Sequence, residues 1–142
     1  MRLSTRFAPK WRKIIPSKEI VVDKVVRSVG IGLTVIVVLL IILFSLEDSS
    51  SVPSISWIPF ADKGSHAVAY CALGFSIGMW RTRGWKGFAV SLVCVVAFGV
   101  LLELVQPQFG RYLELADVAA DAIGGATGLG LMAAVRRLFL HF

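Results

Sequence analysis

From Ser28 to Leu46 the chain reads SVGIGLTVIVVLLIILFSL, nineteen residues without a charge. As a helix rising about 1.5 Å per residue this run is roughly 28 Å long, the thickness of the hydrocarbon layer of a bilayer. Such a segment must be buried in a large core or face lipid. The 142-residue chain is 56% hydrophobic and 17% charged, with a mean hydropathy of +0.78. Soluble domains carry about 25% charged residues, and a single domain of this length has too little polar sequence to wrap such a core. The run is therefore read as a membrane span.

Three further runs follow. Gly64 to Trp80 and Gly87 to Leu102 are uncharged, and Val118 to Val135 contains one acid, Asp121. Each is short for a span, a mismatch that interfacial residues or local bilayer thinning accommodates. The expected fold is an all-α membrane protein. Four transmembrane helices, at about 27–46, 63–80, 87–105 and 117–138, form an antiparallel bundle. Residues 27–142 make the membrane domain, and 1–26 are a loosely ordered basic tail broken by Pro9 and Pro16. The first run is too long for a signal peptide, and no A-x-A-like site follows it in LEDSSSVPS, so it is expected to stay as an anchor.

The net charge of +6 does not point to nucleic acid, because of where the bases lie. Of the 15 Lys and Arg, 13 fall before Ser28, in the link Arg81–Lys86, or at Arg136 and Arg137. Seven of nine acids lie on the alternate side: Glu47, Asp48, Asp62, Glu103, Glu114, Asp117 and Asp121. This is the positive-inside pattern, with both termini cytoplasmic in a multi-pass protein of the plasma membrane. Trp80 and Trp85 then fall at the inner interface, Trp57 and Tyr112 near the outer one. Cys71 and Cys94 lie inside helices and read as packing residues. No metal site and no cofactor is assigned from spacing. The loop from Glu47 to Ala61 should be irregular, Arg81–Lys86 should be a tight turn, and Pro107 should end helix 3.

The chemistry-bearing residues converge. Asp62, His66 and Tyr70 recur every four residues along one face of helix 2. Glu103 and Gln106 stand at the outer end of helix 3, Asp117 and Asp121 at the outer end of helix 4, and Lys63 and Arg111 are the two outer bases. All lie at one depth, where ionisable groups face a bundle interior or a wet cavity. Gly74 and Gly78, and Gly124 and Gly128, form G-x-x-x-G pairs for close helix packing. Asp117, Asp121, Gly124 and Gly128 share one stripe, which should face the bundle. The plainer readings are that Asp62 and Asp117 are N-caps, and that Glu103, at a helix C-terminus where the dipole disfavours an acid, pairs with Arg111 to staple a loop.

These residues resemble the VanZ-like family of small membrane proteins over about residues 45–135. The matching pieces are D-K-x-x-H-x-x-x-Y-x-x-x-G (Asp62 to Gly74), E-x-x-Q-x-x-x-x-R (Glu103, Gln106, Arg111) and D-x-x-A-D-x-x-G-x-x-x-G (Asp117, Ala120, Asp121, Gly124, Gly128). The family often has Asn at the position of Asp121 and a polar residue at that of Tyr112. The resemblance implies a four-helix membrane protein of the cell envelope. Its founding member is associated with resistance to teicoplanin, a glycopeptide that binds lipid-linked cell-wall precursors.

Three function classes follow. In the first, the cluster recognises the head group of a membrane lipid or lipid-linked precursor, with Lys63 and Arg111 on phosphate. In the second, the chain is an intramembrane hydrolase or transferase, with His66, Glu103 and Asp117 as catalytic candidates, or as ligands to a divalent metal. In the third, the cluster fixes helix register in an accessory protein that oligomerises or binds a partner. A proton-coupled carrier, with Asp121 as its proton site, is a further alternative. No nucleophile motif is present, so binding is favoured over catalysis.

Overall fold

The computed structural model describes residues 18–46, 61–81, 84–110 and 112–139. It is all-helical: α1 is Lys18–Ser45, α2 Ala61–Trp80, α3 Gly84–Val105 and α4 Leu115–Phe139. Three of the helices are long and apolar enough to cross a membrane: α1 from Ile20, α3 with its extension to Phe109, and α4. The twenty-residue α2 is not among them, because Lys63, Ser65, His66 and its glycines dilute its apolar content.

Helix α1 begins well before residue 27, so the end of the basic segment is helical rather than loosely ordered. Pro16 is the last helix breaker before it, and Asp23 and Arg27 are spaced for an i, i+4 attraction. Residues 1–17 and the loop 47–60 lie outside the described residues. The link between α2 and α3 is shorter than expected, since α3 starts at Gly84, whose φ of 74° is left-handed. Helix α3 ends before Pro107 as expected. A short 3₁₀ turn, Gln106–Phe109, follows, and Gly110 at φ 75° returns its amide to the carbonyls of Gln106 and Pro107.

The most extensive contact is between α2 and α4. Lys63 meets Asp117, Ala67 meets Gly124 and Cys71 meets Gly128, so residue numbers rise together and the two helices run parallel. Helix α1 packs against α2, with Gly30 beside Met79 and Ile41 clustered with Tyr70 and Leu73, hence antiparallel. Helix α3 packs antiparallel to α4, with Gly99 beside Asp121 and Val95 beside Gly125. Neighbours in sequence thus alternate in direction around a central parallel pair.

Glycines permit this pairing. A Cβ on Gly124 would strike the backbone carbonyl of Ala67, one on Gly128 that of Cys71, and one on Gly74 that of Gly125. The buried apolar core is small: Ile41, Tyr70, Leu73, Val95, Leu129 and Met132. Large apolar side chains instead cover the outside, among them Leu39, Leu43, Phe44, Val93, Leu101 and Ile123. Exposure on this scale suits lipid, not water. Cys94 lies on this outer surface and not in the packing, while Cys71 is half-buried.

A polar link ties α1 to α2 away from the site. The Trp80 indole donates to Thr34 Oγ1 at 3.0 Å, and Thr34 Oγ1 is 3.0 Å from Ser76 Oγ. Thr34→Val removes the acceptor and strands the indole N–H. The expected cost is about 1–2 kcal/mol, read as a lower thermal midpoint with a changed Trp emission.

Candidate functional site

The parallel pairing brings the first turns of α2 and α4 together, and the last turn of α3 joins them. Lys63 Nζ donates to Glu114 Oε2 at 2.6 Å and to Asp117 Oδ1 at 2.9 Å. One turn further in, His66 Nδ1 lies 3.0 Å from Asp121 Oδ1, and His66 Nε2 lies 4.0 Å from Asp117 Oδ2. Another turn on, the buried Tyr70 continues the same face of α2, beside Asp121. The ladder Lys63, His66, Tyr70 on α2 thus faces the ladder Glu114, Asp117, Asp121 on α4.

Burial deepens along this ladder. Glu114 is half exposed, whereas Asp117 and Asp121 are buried. Asp121 nests against Gly99, where a Cβ would come within 2.6 Å of its Oδ2. Glu103 enters from α3. It is 2% exposed, and its Oε2 accepts the backbone N–H of Glu114 at 3.0 Å. Its Oε1 is buried without a hydrogen-bond partner.

One expectation changes. Asp117 is not the N-cap of α4 but the third residue of its first turn, where it holds Lys63. Its own amide donates to the Glu114 carbonyl at 3.0 Å, and Glu114 is the residue before the helix. Gln106 is buried, yet its Nε2 donates to the Ser45 carbonyl at 3.3 Å. It therefore satisfies an orphan carbonyl at the end of α1. Arg111 and the side chain of Asp62 lie outside the described residues. Gly78 is buried in α2. Glu114 and Gly99 were not singled out in the sequence. Glu114 sits three residues before Asp117, the spacing that shares a helix face, and that was the available signal.

The opposite end has another character. A cavity of about 490 Å³ is lined by Asp23, Arg27, Met79, Trp80, Arg81, Gly87 and Arg136. Arg136 Nη2 donates to the Met79 carbonyl, capping the end of α2. One end of the bundle is thus acidic and the other basic.

Comparison with family models, with curated proteins and with solved structures gives no match to this chain.

Proposed function

We propose that this chain is a multi-pass plasma-membrane protein whose polar cluster binds the head group of an envelope lipid or lipid-linked precursor at the outer leaflet. In this reading α2 is the fourth span, at about 30 Å for twenty residues, and both termini are cytoplasmic. The basic cavity supports that orientation, since Arg27, Arg81 and Arg136 gather at the end opposite the acids. The observation that carries the proposal is the preset ammonium of Lys63. Two of its three donors are spent on Glu114 and Asp117, which aim the third. That donor suits a phosphate oxygen, with Arg111 as the second base. The surrounding carboxylates suit the hydroxyl or ammonium groups of a head group. The VanZ-like resemblance supports the lipid-linked class and adds tolerance of teicoplanin-type glycopeptides as a phenotype.

The test is mass spectrometry of lipids that co-purify in mild detergent with wild type, Lys63→Ala and Arg111→Ala. A phosphate-bearing envelope lipid enriched with wild type and reduced at least about tenfold in both variants is expected, as loss of a charge-assisted hydrogen bond predicts. The same bulk phospholipid in all three preparations rejects the reading.

A second reading, hydrolysis or transfer on such a lipid, is favoured by the Asp121–His66 contact, because a carboxylate that orients an imidazole prepares it as a general base. Head-group release from a labelled lipid by wild type and not by His66→Ala supports it. Equal release by both removes His66 from the chemistry.

A further inference from the structure

The cluster holds a geometric set that lipid recognition does not require. One nitrogen of His66, one carboxylate oxygen of Glu103 and one of Asp117 lie within 4.8 Å of one another, and they arrive from three different helices. Two independent features of these residues point to a cation.

The first is Glu103. Its Oε2 is occupied by the Glu114 amide, while Oε1 is buried and unpartnered. A buried carboxylate oxygen facing no donor is costly, and a cation would satisfy it. The second is the order of contacts around His66. The 3.0 Å approach of Asp121 Oδ1 to Nδ1 favours the tautomer protonated there, which places the ring lone pair on Nε2, toward Asp117. A carboxylate behind the far nitrogen is the arrangement that orients metal-bound histidines. Asp117 also divides its oxygens, Oδ1 to Lys63 and Oδ2 toward His66.

We infer that His66, Glu103 and Asp117 bind one divalent cation of the zinc class, with Asp121 as the positioning residue for His66. A nitrogen in the set disfavours calcium and magnesium, which take oxygen ligands, and suits zinc or manganese. Three protein ligands leave a further coordination position open. Bonds of 2.0–2.2 Å in a tetrahedron put ligand atoms about 3.4 Å apart, so the three side chains close by roughly an ångström on binding. The inference goes beyond the lipid reading and does not rest on it.

The test uses the tag-free full chain in detergent, stripped with chelator. Zinc chloride is titrated by calorimetry, and cobalt chloride is followed by its visible d–d absorption. One zinc per chain is expected, with an intense cobalt spectrum that zinc abolishes, and zinc should raise Tm. Glu103→Gln should weaken zinc by more than about 100-fold, and Asp121→Asn by about 10–100-fold with the cobalt bands shifted rather than lost. No zinc heat and no cobalt bands in wild type overturn the inference. So does wild-type affinity in both Glu103→Gln and His66→Gln, since the ion then sits elsewhere. If Glu103→Gln does not fold, His66→Gln and the wild-type titration decide. Lipids measured in the same chelator-stripped samples keep failure of this inference distinct from failure of the lipid reading.

Discussion

Gly128→Val is expected to cost about 3 kcal/mol of stability, the upper end of the range for overpacking. The loss comes from backbone, which has no rotamer to yield. A side chain at this position meets the Cys71 carbonyl oxygen and, at 2.6 Å from its Cβ, the Phe75 amide nitrogen. Helices α2 and α4 must separate to admit it, and separation also pulls His66 from Asp121. Gly130→Ala is the matched control. A Cβ there meets nothing within 4 Å, so alanine should be neutral or stabilising by up to about 1 kcal/mol through helix propensity. Both variants are read by SDS titration in micelles with tryptophan fluorescence. A Gly128→Val protein as resistant as wild type would show that α2 and α4 are not packed this closely.

The second large effect is at Asp121. Replacement by Ala removes the carboxylate at His66 Nδ1 and Tyr70 loses its neighbour, in a place 1% exposed where water cannot readily substitute. A charge-assisted hydrogen bond contributes about 1.5–3 kcal/mol, and the emptied space beside Gly99 adds to the loss, so about 3 kcal/mol is expected in all. Asp121→Asn keeps shape and an acceptor, and should cost about 1 kcal/mol or less. The ratio of the two, from the same SDS titrations, is the informative quantity. Equal losses would mean that the negative charge itself stabilises the fold.

Much of the site was readable because helical spacing assigns residues to faces. Asp117, Asp121, Gly124 and Gly128 share a stripe by arithmetic alone, and all four are buried. His66 and Tyr70 lie on the face of α2 that meets it. Spacing does not say which helix a face meets. That α4 packs on α2, not only on its neighbour α3, depends on backbone approach at Gly74, Gly124 and Gly128, and the glycine pairs were a hint without a partner. Gln106 shows the same limit. Its position near Glu103 was legible, but its turn toward Ser45 depends on where α1 ends, a tertiary fact. Glu114 was read only as one of the outer-side acids because an acid just before a helix is usually a solvated end. Here Lys63, 51 residues away in sequence, reaches back to it.

The parallel contact of α2 with α4 also orders the protein's assembly. Translation delivers α2 two helices before its main partner, and Lys63 precedes Asp117 by 54 residues. Until α4 is made, the ammonium of Lys63 and the imidazole of His66 have no acid from α4 to meet them. The cluster can therefore be completed only once α4 is in place. A chain truncated after α3 lacks Glu114, Asp117 and Asp121 altogether, so a complete cluster marks a completed bundle.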